Sequence, residues 1–274
     1  MPITPADLRA FKARREPIPV ITAYDYPSAR LAEAAGVPVL LVGDSVGMTV
    51  LGAATTLGVT LDIMVHHARA VAKGAGEALV IADLPFLTYA DPMMAVASAG
   101  RLLQEAGVHA VKLEGGLAVV ETVQKLTDLG VPVMGHLGFT PQSQHQLGVK
   151  VQAKDEAGAR RLIADALALE GAGAFAIVLE LVPAELAAAV SQRLSIPTIG
   201  IGAGGGCDGQ VQVWHDLLGL GEGRPRRHAK VFAEVGAVIT EGLKAYVAEV
   251  KSGTFPTKAN GSSMDADTLA RALT

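Results

Sequence analysis

Short runs of apolar residues, each broken at once by a polar or charged one, recur along this chain. The clearest is Pro38-Val39-Leu40-Leu41-Val42-Gly43-Asp44-Ser45. An uninterrupted Val/Leu run of that kind suits a strand buried on both faces of a parallel sheet. The same grammar returns in Leu79-Val80-Ile81-Ala82-Asp83, Ala110-Val111-Lys112-Leu113-Glu114, Val131-Pro132-Val133-Met134-Gly135-His136 and Phe175-Ala176-Ile177-Val178-Leu179-Glu180. Weaker runs at Pro19 to Ala23, Ile196 to Ile201 and Gln210 to Trp214 complete a set of eight strands.

Between the strands lie stretches of helical period with recognisable ends. Thr4 caps a first helix with Pro5 at its opening position and Asp7 in its first turn, running to about Arg15. Further helices are expected over Pro27 to Ala35, Thr60 to Lys73, Asp91 to near Gly107, Leu117 to Leu129, Asp155 to Glu170 with Gly171 as the stop, and Pro183 to Arg193. A long final helix is expected from Arg226 to Lys251. Strand and helix therefore alternate eight times, the pattern of a single α/β (β/α)₈ TIM barrel. The first helix is expected to cover the lower mouth of that barrel. The domain reading is a barrel over residues 1–251 and a polar C-terminal tail over 252–274. Two long loops, Met48 to Val59 and Leu137 to Lys154, stand out as candidate binding loops.

Composition narrows this picture without changing it. The chain has 274 residues, half of them hydrophobic, enough for one barrel core. A net charge of −4 supplies no electrostatic footprint for nucleic acid. No apolar stretch has the length of a membrane span, and the N-terminus lacks a signal-peptide core. The single cysteine, Cys207, excludes an internal disulfide and suits a reducing cytoplasm. Gly200-Ile201-Gly202-Ala203-Gly204-Gly205-Gly206 invites a dinucleotide-binding reading, but Cys207-Asp208-Gly209 leads on to a strand where that motif needs a helix. His66 and His67 are adjacent on a helix, cannot share a metal as an i, i+4 pair would, and read as surface residues.

The chemistry gathers at the strand ends, where barrel enzymes keep their active sites. Five ends in series carry Asp44, Asp83, Glu114, His136 and Glu180. Asp44 and Asp83 close neighbouring strands about 4.8 Å apart, which brings two hard oxygen donors to one ion. Mg²⁺ is commonly held that way, with water and substrate completing its shell. Each Asp taken alone could equally cap the next helix. Lys112 lies two residues before Glu114, so both face the same side of their strand, the barrel interior, where an unpaired ammonium is costly.

Several of these segments resemble the ketopantoate hydroxymethyltransferase family. They include Ile21-Thr22-Ala23-Tyr24-Asp25-Tyr26, Val42-Gly43-Asp44-Ser45-Val46-Gly47-Met48, Ala82-Asp83-Leu84-Pro85-Phe86 and Val111-Lys112-Leu113-Glu114-Gly115-Gly116. Gly135-His136-Leu137-Gly138-Phe139-Thr140-Pro141-Gln142, Ile199 to Gly204, Asp208-Gly209-Gln210 and His215-Asp216 continue the resemblance in order. It is looser at Gln146 to Val149 and at Arg227-His228-Ala229-Lys230. The resemblance implies transfer of a one-carbon unit from 5,10-methylenetetrahydrofolate to 3-methyl-2-oxobutanoate, giving 2-dehydropantoate on the route to pantothenate and coenzyme A. It implies one Mg²⁺ per subunit on Asp44 and Asp83, with Glu114 in the metal set, just outside it and orienting a bound water. Asp44, Ser45, Asp83, Lys112 and His136 would contact the keto acid, and Glu180 would be the base that forms a metal-chelated enolate. Assembly as a homodecamer is a further implication.

Two other readings compete. One is a Mg²⁺-dependent lyase of the isocitrate lyase and phosphoenolpyruvate mutase type. Such lyases generally carry a cysteine in a flexible loop, whereas the only cysteine here follows the seventh strand. The other is a non-catalytic keto-acid-binding barrel, which would have no need of a base.

Overall fold

The computed structural model describes residues 2–221 and 227–274. Eight parallel strands close into a barrel in sequence order: β1 (Ile18–Thr22), β2 (Val39–Val42), β3 (Leu79–Asp83), β4 (Ala110–Glu114), β5 (Val133–Gly138), β6 (Ala176–Glu180), β7 (Thr198–Ile201) and β8 (Gly209–Gln212), with β8 pairing back onto β1. The expected TIM barrel is the fold observed.

Period-two alternation divides the strand residues between two cores. Ile18, Val20, Val39, Leu41, Leu79, Ile81, Ala110, Met134, Ala176, Val178, Ile199 and Val211 fill the interior as one cluster. The intervening residues, among them Leu40, Val80, Val111, Ile177 and Leu179, face outward and are covered by the helices. Continued upward, the inward positions reach Asp83, Lys112, Glu114, His136 and Glu180. The strand register pairs Asp83 with Lys112, Glu114 with His136, and Gly138 with Glu180. The polar ring at the upper mouth is therefore a direct consequence of the alternation.

The surrounding helices are α1 (Pro5–Ala13), α2 (Tyr26–Ala34), α3 (Leu61–Gly74), α4 (Pro92–Arg101), α5 (Val120–Asp128), α6 (Glu156–Gly171), α7 (Ala184–Arg193), α8 (Val235–Ser252) and α9 (Ala266–Ala272). The caps expected at Thr4, Thr60, Asp91 and Asp155 are all present, each side chain accepting a backbone N–H of the first turn. α1 seals the lower mouth: Leu8 is fully buried in the interior cluster, with Ile3 and Phe11 against it. Lys12 pins the helix there by donating to the carbonyls of Ser191 and Ile196 and to Asp208.

Some boundaries differ from expectation. α6 runs through Gly171, and the left-handed residue that follows it is Gly173. β8 ends at Gln212, and Trp214 opens a helical turn, Trp214–Leu217. The final helix begins at Val235. Its expected start, Arg226, lies outside the described residues, and the residues after it are not helical. Phe232 and Val235 donate their backbone N–H groups to Leu217 and Leu218, so this stretch is tied across to the turn after β8 instead of to itself. The tail after Ser252 carries the short α9. The glycine-rich segment after β7 leads to β8 with no helix between them.

Candidate active site

A cavity of about 430 Å³ opens above the interior core and is lined by the strand-end groups of β2 through β6. A larger groove, about 1060 Å³, lies on the flank beside Pro19 of β1 and Gln210 of β8 and holds none of the strand-end acids. The chemistry is in the smaller one.

Its geometry begins with the turn after β2. Gly43 occupies an inward position where a Cβ would lie 2.8 Å from Ser45 Oγ, so a larger residue would displace that hydroxyl, and 3.6 Å from Asp83 Oδ2. The backbone N–H of Asp44 donates to Asp83 Oδ2 at 3.0 Å, locking the two acid-bearing strand ends together. Both carboxylates are buried. Ser45 Oγ lies 2.8 Å from the hydroxyl of Tyr24 at the end of β1.

Lys112 reaches Asp83 Oδ1 at 2.9 Å, and both side chains are buried. His136 lies between two acids, with Nδ1 3.3 Å from Glu114 Oε1 and Nε2 3.3 Å from Glu180 Oε2. The second contact depends on a close approach of β5 to β6. Gly138 has φ +91°, and a Cβ there would come within 2.2 Å of the Glu180 carbonyl, so a larger residue would push the two strand ends apart. Of the seven sequence-predicted residues, Asp44, Asp83, Lys112, Glu114, His136 and Glu180 are buried, and Ser45 is half-buried.

Electrostatics follow from this crowding. Burial raises the Asp44 carboxyl well above the usual carboxylate range, and repulsion from Asp83 and Glu114 adds to it, against smaller lowering by Lys112 and Gln142. Burial raises Asp83 too, with Lys112 opposing. Burial alone would lower Lys112, but Asp83, Glu114 and Asp44 more than offset it and the ammonium is retained. Burial and Lys112 both disfavour an imidazolium at His136, yet Glu114 and Glu180 prevail and raise it to about 9. A ring protonated on both nitrogens is held as an ion pair between the two glutamates. Lys112, 3.3 Å from Nδ1, then turns its protons to Asp83.

Among the strand-end groups four carboxylates thus face one lysine and one histidine, and with Asp216, Arg227 and His228 also on the cavity wall the acids still outnumber Lys112, Arg227 and the His136 imidazolium at full ionisation. Buried atoms lacking a well-aligned hydrogen bond concentrate here as well. Of the six found among the described residues, five line this cavity: Thr56 Oγ1, Asp83 Oδ1, Glu114 Oε1, His136 Nε2 and Gln144 Nε2. Among the described residues, no three His, Cys, Asp or Glu side chains close on a point as a complete metal cage. Charge excess, hard oxygen donors and an open cage together fit a divalent cation that takes part of its shell from water or substrate.

Three residues that sequence reasoning left without a role join the site. Gln142 and Tyr89 bridge Asp44 to Glu114, and Tyr24 holds Ser45. Gln142 and Tyr24 lie within segments that carried the family resemblance, the one signal that pointed to them; nothing marked Tyr89. His67, read as a surface residue, is half-buried, its Nδ1 2.7 Å from the Tyr24 carbonyl; His66 is exposed.

A family model described as ketopantoate hydroxymethyltransferase matches residues 2–258. The 3-methyl-2-oxobutanoate hydroxymethyltransferase of Gluconacetobacter diazotrophicus is 66% identical over 273 residues, covering 100% of this chain and 99% of the relative. That of Chloroflexus aurantiacus is 58% identical over 273 residues, covering 100% and 97%. Among solved structures, 2,3-dimethylmalate lyase, a PEP mutase/isocitrate lyase superfamily member, superposes with TM-score 0.58 at 20% identity over 98% of this chain and 94% of the other. Phosphonopyruvate hydrolase, solved in complex with oxalate and Mg²⁺, gives TM-score 0.63 at 14% identity over 99% and 98%. At such identities these two structures speak for the fold alone.

Proposed function

This chain belongs to the ketopantoate hydroxymethyltransferase family, whose members move a hydroxymethyl group onto a keto acid, and we propose that it takes that carbon from 5,10-methylenetetrahydrofolate with the help of Mg²⁺. The acceptor is 3-methyl-2-oxobutanoate and the product 2-dehydropantoate, in the supply of pantothenate and coenzyme A. The observation that carries the reading is the convergence in one small cavity of two linked strand-end acids and a His136–Glu180 pair.

Asp44 and Asp83 are the residues that would hold Mg²⁺, with Glu114 just outside and orienting a water. When bound, the ion supplies Lewis-acid stabilisation to the negative charge that grows on the keto oxygen, an effect worth several kcal/mol. Ser45, Lys112 and His136 bind and orient the keto acid. Glu180 removes the proton from its C3, a general-base role typically contributing about 10²–10⁴-fold. His136 Nε2 lies 3.3 Å from Glu180 Oε2, so its charge holds that carboxylate near the substrate's C3. The methylene carbon leaves the folate as water cleaves both its C–N bonds, the water oxygen staying on that carbon, and C3 bonds to it to give the hydroxymethyl group and tetrahydrofolate. Phe139 and Val149, on the cavity wall, offer apolar surface to the pterin.

We assign the enzyme to the cytoplasm and to a homo-oligomer, the decamer implied by the family resemblance. α8 supports self-association, since none of its eighteen residues is buried while Val238, Leu243 and Tyr246 stand exposed. Among the described residues, no helix is long and apolar enough to cross a membrane.

The test is solvent exchange. With Mg²⁺ present, the C3 proton of 3-methyl-2-oxobutanoate should exchange with D₂O, followed by NMR, without folate. Glu180→Gln should still bind the keto acid yet lose exchange by at least about 100-fold. Exchange that persists in the variant would assign the base elsewhere, and none in the wild type would remove the deprotonation step.

A further inference from the structure

We propose that Gln142, oriented by Tyr89, is a positioning residue that fixes the direction in which Asp44 presents its carboxylate to a divalent cation. The proposal rests on the reading of Asp44 as a cation ligand.

Gln142 lies in the single turn of 3₁₀ helix, Pro141–Ser143, that follows β5, and its side chain is buried. A buried neutral amide needs a reason, because leaving its polar atoms unpaired would cost free energy. Here every one is used. Nε2 donates to Asp44 Oδ2 at 2.8 Å and to the Leu84 carbonyl at 3.0 Å. Oε1 accepts from the Tyr89 hydroxyl at 2.5 Å. The backbone N–H of Gln142 donates to Glu114 Oε2 at 2.9 Å. One residue therefore joins the ends of β2, β3 and β4.

The direction of these bonds is determined, which is why the arrangement orients and does not merely fill space. The Glu114 backbone N–H points at the Tyr89 oxygen, at 3.4 Å, so the hydroxyl's own proton goes to Gln142 Oε1. That holds the carbonyl end of the amide towards Tyr89 and leaves the NH₂ end towards Asp44. A flipped amide would set a carbonyl oxygen against a carboxylate. With Oδ2 of Asp44 held by this N–H, rotation of the carboxylate is restrained.

The residue type matters. Glutamate would add a fifth acid beside Asp44 and Glu114. Leucine would leave Asp44 Oδ2 and the Leu84 carbonyl without their donor. Phenylalanine at 89 would keep the packing and remove the donor to Oε1, leaving the amide held at its NH₂ end alone. Partners one step removed from a metal typically tune its affinity by about 10- to 100-fold, which sets the expected size.

The experiment measures Mn²⁺ alone, by electron paramagnetic resonance titration of the full-length protein, beside thermal melting without metal. Gln142→Leu should weaken Mn²⁺ binding about 10- to 100-fold, and Tyr89→Phe about tenfold. With saturating Mn²⁺, Tyr89→Phe should recover most of the rate of C3 proton exchange, separating orientation of the site from damage to it. Mn²⁺ affinity within twofold of wild type in Tyr89→Phe overturns the proposal, whether or not Gln142→Leu folds. Asp44→Asn distinguishes the two levels. If it binds Mn²⁺ as wild type does, the cation reading itself fails. If it loses Mn²⁺ while Tyr89→Phe and Gln142→Leu retain it, only the positioning role fails.

Discussion

His136 shows how the barrel mouth turns single residues into a coupled set. Its imidazole lies between Glu114 and Glu180 and is raised to about 9 from an ordinary 6.5. A histidine that binds its proton more tightly when folded adds stability in full below the unfolded value. That contribution, of order 3 kcal/mol here, fades as pH climbs from about 6.5 through 9. Asp44 and Asp83 act in the same sense: each is raised, so ionising them disfavours the folded state as pH rises from the ordinary carboxylate range. The metal-free enzyme should therefore lose melting temperature steadily between pH 6.5 and 9, and His136→Gln should flatten that slope. Added Mg²⁺ should restore stability most on the alkaline side, where the acids are charged. A metal-free melting temperature that is level across this window would be incompatible with an imidazolium held by two glutamates. The inward placement of Lys112 and Glu114 was legible from their spacing. The role of Gln142 was not, because its partner Asp44 is 98 residues away and no local pattern links them.

Among the elements, capped helix starts were legible, whereas the uncapped start of the final helix and some ends were not. A cap is local chemistry: Thr4, Thr60, Asp91 and Asp155 bond to N–H groups two or three residues ahead, and sequence holds all of that information. Ends depend on what the last turn meets, so α6 passes through Gly171 and α8 starts only where its N-terminal residues cease to be tied to the turn after β8. α1 was expected to close the lower mouth, and Leu8 shows how it does so. Leu8→Ala should destabilise the enzyme by about 2–5 kcal/mol, seen as a lower urea midpoint. Exchange by the folded variant at low temperature should match wild type, because the whole interior core separates Leu8 from the acids. A shift in exchange with no shift in midpoint would show that α1 communicates with the site.

For the molecule as a whole, the open question is what covers α8. An eighteen-residue helix with no buried position and Val238, Leu243 and Tyr246 in water is a large apolar liability for a lone chain. Leu243→Asp combined with Tyr246→Asp should lower the molar mass measured by light scattering, while the far-ultraviolet circular dichroism of the barrel is kept. An unchanged mass would mean that this face does not join subunits. The barrel itself and its ring of strand-end groups were already implied by one-dimensional order, since alternation and βα succession are properties of neighbours along the chain. Which polar atoms meet across the mouth was settled by closure. The link from Asp44 to Asp83, the wedging of His136 between two glutamates and the amide that spans three strands are contacts between distant segments, and they exist only once eight staggered strands bring those segments to one rim.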